Sequence, residues 1–111
     1  MVFGEGMMEM RQKNTFKSPQ TQGHEWTFLS NHSHVLLCLF RDPDMRLRDV
    51  AQLVNITERA VQGIVLDLEE AGVLRRIKQG RRNRYEIYVD RSLRHPLEEH
   101  IPVGRLLELL K

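Results

Sequence analysis

The residues with the clearest chemical character form a basic run in the second half of the chain. Six of the ten residues from Arg75 to Arg84 are basic and none is acidic. They are Arg75, Arg76, Lys78, Arg81, Arg82 and Arg84. Like charges at this density repel one another unless a polyanion neutralises them, and arginine matches the geometry of a phosphate group. The run therefore predicts contact with a polyanion, and the alternative is a solvated strand face that prevents edge aggregation.

The basic run lies in a segment with the pattern of a β-hairpin. Residues 73–78 and 84–89 are rich in β-branched, aromatic and basic side chains, and apolar and polar positions roughly alternate. Residues 79–83 lie between them, and Gly80 and Asn83 suit a turn. We predict two strands joined by this turn.

Residues 46–71, directly before the hairpin, predict two short helices joined by a tight turn. Both helices have an apolar stripe at helical spacing. The stripes are Leu47, Val50, Ala51 and Val54, and then Val61, Ile64, Val65 and Leu68. Asn55 suits the left-handed conformation that the turn needs, Thr57 can cap the second helix, and Gly72 ends it. The pattern is that of a helix-turn-helix.

A helix before this motif and another at the end of the chain complete the predicted elements. The first is NHSHVLLCLFR, which Ser30 or Asn31 can cap. Its stripe of Val35, Leu36, Leu39 and Phe40 would pack on the two helices, and Leu37 and Cys38 widen it enough to face a partner subunit. The last helix would follow an irregular connection and carry Val103, Leu106, Leu107 and Leu110 on one face.

Composition limits the class of protein. The 111 residues, with a net charge of +2, suit one small domain. The single cysteine, Cys38, excludes an intramolecular disulfide and fits a reducing compartment. No apolar run reaches the roughly 18 residues that span a bilayer, and Glu5 and Glu9 stand where a secretory signal would be basic and then apolar. We expect a cytoplasmic protein without membrane contact.

A helix, a helix-turn-helix and a basic β-hairpin follow one another in the order of a winged helix-turn-helix domain. Residues from about 26 to 89 resemble the MarR- and ArsR-like bacterial transcription regulators. The resemblance is carried by LRDVAQLVNITERAVQGIVLDLEEAGVLRRIKQGRRNRYEI, above all by LEEAGVLRR. HPLEEH and VGRLLELL resemble the C-terminal region of small members of this group. The resemblance implies an α+β, mainly α fold with a three-helix core, a β-hairpin wing and a short C-terminal helix.

The resemblance also implies a site. The helix beginning at Thr57 would enter the major groove of double-stranded DNA by its N-terminal end, and the loop Gly80 to Asn83 would lie along the backbone or an adjacent minor groove. The predicted DNA-binding residues are Arg46, Arg48, Thr57, Arg59, Gln62, Gly63, Lys78, Arg81, Arg82 and Arg84. Asp67, Glu69 and Glu70 make the far end of the helix repulsive to DNA.

Individual roles follow from side-chain chemistry. Arg59 could read guanine and Gln62 could read adenine, while Thr57 could bind phosphate as well as cap the helix. Ordinary helix-surface polarity is the alternative for each. Arg46 and Arg48 are candidate phosphate anchors. Gly63 departs from the expected long polar side chain and lowers helix stability by about 1 kcal/mol relative to alanine. It either allows close approach to the duplex or marks weak base readout.

The resemblance and the apolar helices predict the organisation of the chain. We expect a flexible tail over residues 1–23, a DNA-binding domain over 24–90 and a C-terminal extension over 91–111 that dimerises or docks on its own domain. Arg11, Lys13 and Lys17 could make the tail a basic arm on DNA phosphates, although disorder or an early start codon also explains it. A symmetric homodimer would present two recognition helices to a palindromic site.

Two other functions can be weighed against the sequence. His24, His32, His34, Cys38, His95 and His100 could suggest a metal- or effector-sensing repressor. Zinc needs at least three converging ligands, and His34 and Cys38 form only an isolated pair, so we expect no metal and no other cofactor. No nucleotide-binding loop or catalytic constellation stands out, so we expect no enzyme. The remaining alternative is a winged helix that binds RNA or protein.

Overall fold

The computed structural model describes residues 25–111, which form four helices and one two-stranded sheet. The helices are α1 (Asn31–Arg41), α2 (Leu47–Val54), α3 (Glu58–Glu70) and α4 (Val103–Leu110), and the strands are β1 (Leu74–Gln79) and β2 (Arg82–Ile87). The predicted tail and its basic arm lie outside the described residues, as does His24.

The first helix begins and ends where its sequence predicts. Ser30 is its N-cap, and its Oγ accepts a hydrogen bond from the Ser33 amide at 3.4 Å. Val35, Leu36 and Leu39 are buried as expected. Cys38 is also buried, so it faces the core of its own domain.

The turn between α2 and α3 has the predicted left-handed corner. Asn55 has φ 67° and ψ 47°, and its amide donates to the Ala51 carbonyl oxygen at 2.8 Å. The half-buried Ile56 packs against the core beside it. At the far end of α3, Gly72 has φ 76°, and the Val73 amide donates to the Leu68 carbonyl oxygen at 3.0 Å. This 6→1 bond is the Schellman arrangement in which glycine ends a helix and reverses the chain.

The two strands form an antiparallel hairpin, with bounds that differ from the predicted ones. The register pairs Leu74 with Ile87 and Gln79 with Arg82, so only Gly80 and Arg81 make the turn. The prediction of a turn over 79–83 was wrong. Gly80 has φ 63° and Arg81 does not have a positive φ, the combination of a two-residue type II′ turn. Such a turn continues the twist of both strands, so the strand pairing extends to the residues next to the turn.

One apolar core joins all these elements. Every helix and strand contributes at least one buried side chain, including Leu74 from β1, Tyr85 from β2 and Leu107 from α4. No polar or charged residue is buried in the part of the chain described. The core fits the predicted fold class, a mainly helical α+β domain with a β-hairpin.

The last helix lies against its own domain. Val103 and Leu107 are buried in the core, and Leu106 and Leu110 are half-buried. The other predicted option was packing on a partner, and on this helix the exposed apolar side chain available for it is Leu109. The Gly104 amide donates to the Val89 carbonyl oxygen at 2.9 Å, and a Cβ on Gly104 would lie 2.7 Å from the Val89 Cβ. At the other end, Arg41 Nη2 donates to the Leu110 carbonyl oxygen at 2.8 Å.

Candidate nucleic-acid interface

The N-terminal half of α3 has an exposed polar face. Thr57 is its N-cap, and Thr57 Oγ1 accepts a hydrogen bond from the Ala60 amide at 3.0 Å. The apolar stripe of α3 turns inward, because Val61, Ile64, Val65 and Leu68 are all buried. The outward face therefore consists of exposed residues, namely Glu58, Arg59, Gln62, Gly63 and Leu66.

An open cleft of about 620 Å³ lies between this face and the hairpin. Four predicted DNA-binding residues line it, namely Arg46, Gln62, Arg81 and Arg82. The rest of its lining is Asp44, Met45, Leu47, Glu58, Leu66, Arg76, Asn83 and Tyr85. The cleft thus brings together residues from the start of α2, the first turns of α3 and the tip of the hairpin. The other six predicted residues are exposed outside its lining: Arg48, Thr57, Arg59, Gly63, Lys78 and Arg84.

Three of the six basic residues in the hairpin segment are held by carboxylates. Arg75 Nη2 lies 3.0 Å from Glu86 Oε1 across the strands, and Arg76 Nη2 lies 3.1 Å from Glu69 Oε1 on α3. Arg84 Nη1 lies 2.9 Å from Asp44 Oδ2. All three pairs are partly exposed, so each contributes little to stability. Their consequence is positional, because each pair fixes an arginine that the sequence alone leaves free.

The hairpin tip holds the cations without carboxylate partners. Within residues 25–111, neither Lys78 nor Arg81 forms an ion pair or a side-chain hydrogen bond. Arg82 Nη2 donates to the main-chain oxygen of Asp44 at 2.8 Å and meets no carboxylate. The tip can therefore offer its charge to a phosphate backbone without first breaking a salt bridge.

The loop between α1 and α2 binds the second strand of the hairpin, β2. The Tyr85 amide donates to the Pro43 carbonyl oxygen at 3.0 Å, which extends the pairing of β2 beyond β1. Arg82 and Arg84 both bind Asp44, one residue further along this loop. The loop therefore holds β2 at Arg82, Arg84 and Tyr85, and the turn residues Gly80 and Arg81 stay exposed.

Comparison with known proteins relates the helical part of the chain to a known family. Residues 30–75 match the family model described as winged helix-turn-helix DNA-binding. These 46 of the 111 residues have the fold of a winged helix-turn-helix domain. The match confirms the predicted fold and the predicted DNA-binding domain. It ends at Arg75, inside β1, and the hairpin that begins with this strand has the position and shape of the wing.

Two further comparisons add less. A solved structure, the PcaV transcriptional regulator from Streptomyces coelicolor in complex with its natural ligand, superposes with a TM-score of 0.48 at 16% identity. The match covers 97% of this chain and 78% of that chain. Similarity at this level transfers no property of that protein to the winged helix-turn-helix domain described here. No curated protein matches the chain.

The acidic residues near the C-terminal end of α3 lie outside the cleft. Asp67 Oδ2 lies 2.8 Å from His32 Nε2 on α1, and Glu69 pairs with Arg76. Glu70 is exposed. Negative charge therefore stands beside the C-terminal end of the helix, and the helix dipole adds to it.

The histidines and the cysteine of the winged helix-turn-helix domain lie apart from one another. His34 Nδ1 lies 3.2 Å from Asn31 Oδ1, whereas Cys38 is buried in the core. Burial raises the pKa of the Cys38 thiol, and the nearby Arg41 charge opposes this with a smaller effect. Across residues 25–111 no three histidine, cysteine or acidic side chains come close enough to hold a metal ion.

Eight of the twelve residues that line the cleft are outside the predicted site, and two of them, Arg76 and Leu66, have a signal in the sequence. Arg76 belongs to the basic run but was not singled out. Leu66 lies off the buried stripe of α3, four positions after Gln62, and that spacing was the available signal.

No helix in the described part of the chain is long and apolar enough to cross a membrane.

Proposed function

We propose that this protein is a transcription regulator that acts in the cytoplasm as a homodimer. It would bind duplex DNA with the N-terminal half of α3 in the major groove and the wing tip on the backbone. The observation that carries the proposal is the cleft in which Arg46, Gln62 and Arg81 converge. Such a surface can bind phosphates through its cations and base edges through its amide, and it needs no catalytic group.

The charge distribution supports this orientation. Lys78 and Arg81 are exposed and unpaired among the described residues, and Arg46, Arg48 and Arg59 make no carboxylate contact there either. Three of the four carboxylates of α3 (Asp67, Glu69 and Glu70) lie near its C-terminal end, whereas Glu58 lies in its first turn. A polyanion is therefore attracted to the N-terminal half of α3 and repelled from the other half.

Exposed apolar side chains away from the cleft support the homodimer. Phe28 is 90% exposed, Leu97 is 80% exposed and Leu109 is 83% exposed, although each is large and apolar. Burial of such side chains at a symmetric interface would stabilise a dimer. Sedimentation of the purified protein at micromolar concentration should give the mass of two chains, and Leu109→Lys should lower it. A monomer that binds DNA as one copy per site would contradict the homodimer.

The DNA-binding proposal is tested by a salt titration on a duplex selected from random sequence. The logarithm of the binding constant should fall linearly with the logarithm of salt concentration, by about 0.9 per phosphate contacted. Arg81→Ala should reduce the slope by about one such contact and weaken binding to all sequences alike. Gln62→Ala should instead change which sequences are selected.

Arg75→Ala is the matched control for Arg81→Ala. Both variants remove one exposed arginine from the hairpin, but Arg75 is paired with Glu86 and lies outside the cleft. The control should leave the slope unchanged. Equal slopes for the two variants would contradict the proposed role of the wing tip. No preference for duplex DNA over single-stranded DNA or RNA would contradict DNA binding and favour an RNA-binding module.

A further inference from the structure

Leu66 is an apolar side chain on a face of α3 that otherwise carries polar groups. It is 51% exposed and lines the cleft beside Gln62, which lies one helical turn before it. The buried stripe of α3 does not include it. Leu66 therefore does not belong to the core of the described residues, and its side chain is available to a ligand in the cleft.

The surroundings of Leu66 determine what that occupant offers. Four arginines (Arg46, Arg76, Arg81 and Arg82) and two carboxylates (Asp44 and Glu58) line the same cleft, so its net charge is positive and favours an anionic occupant. A polyanion that also presents an apolar group at its surface is duplex DNA, because the major groove exposes the C5-methyl group of thymine. Inorganic phosphate and acidic peptides without apolar side chains have nothing for a leucine to contact.

Gly63 leaves room for such a contact. It lies three positions before Leu66 on the same outward face, and a Cβ built on it would meet nothing within 4 Å. The missing side chain allows a base pair to approach the helix axis between Gln62 and Leu66. Gln62 can form two hydrogen bonds with adenine, the partner of thymine.

We propose that Leu66 determines specificity by contacting a thymine methyl group, while Gln62 hydrogen-bonds an adenine of the same or a neighbouring base pair. This rests on the proposed function, since it needs α3 in the major groove. It adds to that function a residue outside the predicted site and the chemical group which that residue reads.

The test replaces thymine with deoxyuridine, which lacks only the methyl group, at each position of the selected duplex in turn. At one position in each half-site, binding of the wild-type protein should weaken about fourfold, the effect of exposing one methyl-sized group (~0.8 kcal/mol). Substitution of both half-sites should weaken binding by roughly 15-fold, because the two effects multiply. Leu66→Ala should bind the thymine and deoxyuridine duplexes equally at that position.

Leu53→Ala is the matched control. Leu53 is 68% exposed on α2 and does not line the cleft, so this variant should keep the wild-type sensitivity to deoxyuridine. The proposal is overturned if no thymine position is sensitive, or if the sensitivity persists in Leu66→Ala. Either result leaves DNA binding itself intact. Failure to select any duplex would instead overturn the proposed function, and the role of Leu66 with it.

Discussion

The N-terminal half of α3 and the wing differ in how many of their polar side chains are free to bind a ligand. On α3, the side chains of Arg59 and Gln62 are exposed and have no partner among the described residues. In the hairpin segment, three of six basic side chains are already bound to carboxylates, and Arg82 is bound to a main-chain oxygen. The comparison shows that a run of basic residues overstates the charge available to a ligand. Most of the run instead holds the hairpin in place.

Replacement of Tyr85, the buried residue of β2, should give the largest loss of stability among these variants. Tyr85 is 3% exposed, and its amide binds the Pro43 carbonyl oxygen. We expect Tyr85→Ala to lower the free energy of unfolding by about 3 kcal/mol, because it leaves a cavity in the core. Urea denaturation measures this loss. Tyr88→Ala, at a side chain that is 39% exposed, is the control and should cost far less. Equal losses would show that the base of the wing is not part of the core.

Substitution at the wing turn tests the backbone that presents the tip. Gly80 has φ 63°, a conformation that L-residues with a side chain rarely adopt. We expect Gly80→Ala to destabilise the protein by about 2 kcal/mol. Arg81→Ala, at the adjacent turn residue without a positive φ, should leave stability almost unchanged. Thermal or urea unfolding distinguishes the two, and a stable Gly80→Ala variant would contradict the tight two-residue turn.

The corresponding change on the recognition helix should have the opposite sign. A Cβ at Gly63 would meet no atom within 4 Å, so Gly63→Ala adds helix propensity without crowding. We expect it to stabilise the protein by about 1 kcal/mol, and Ala60→Gly on the same helix to destabilise it by a similar amount. Urea unfolding of both variants gives the two values. A loss of stability in Gly63→Ala would mean that the space beside Gly63 is occupied.

The helices could be predicted from sequence because their signals are local. The bounds of α1, the caps Ser30 and Thr57, the corner at Asn55 and the stripe of α3 each depend on residues within a few positions. The strands were displaced by one or two residues, since rough alternation does not determine register. The turn conformation at Gly80 and the contact between Tyr85 and Pro43 determine it, and neither can be seen in a pattern of residue types.

The site was only partly predictable for the same reason. Spacing on α3 correctly gives an outward face that includes Gln62, and composition correctly gives a basic hairpin. The partner of Arg84 lies 40 positions away at Asp44, and the partner of Arg75 lies 11 positions away at Glu86. Only the folded chain brings these charges together. The prediction that Arg84 contacts DNA is still untested, but its guanidinium is already engaged by a carboxylate.

The packing of α4 connects the last helix to the segment that follows the wing. Gly104 packs on Val89 with no spare volume, and Val89 follows β2 by two residues, while Arg41 holds the other end of the helix. The N-terminal end of α4 is therefore in direct contact with the segment that leaves β2. Displacement of the last helix would break the hydrogen bond between the Gly104 amide and the Val89 carbonyl oxygen and would free the segment that leaves β2.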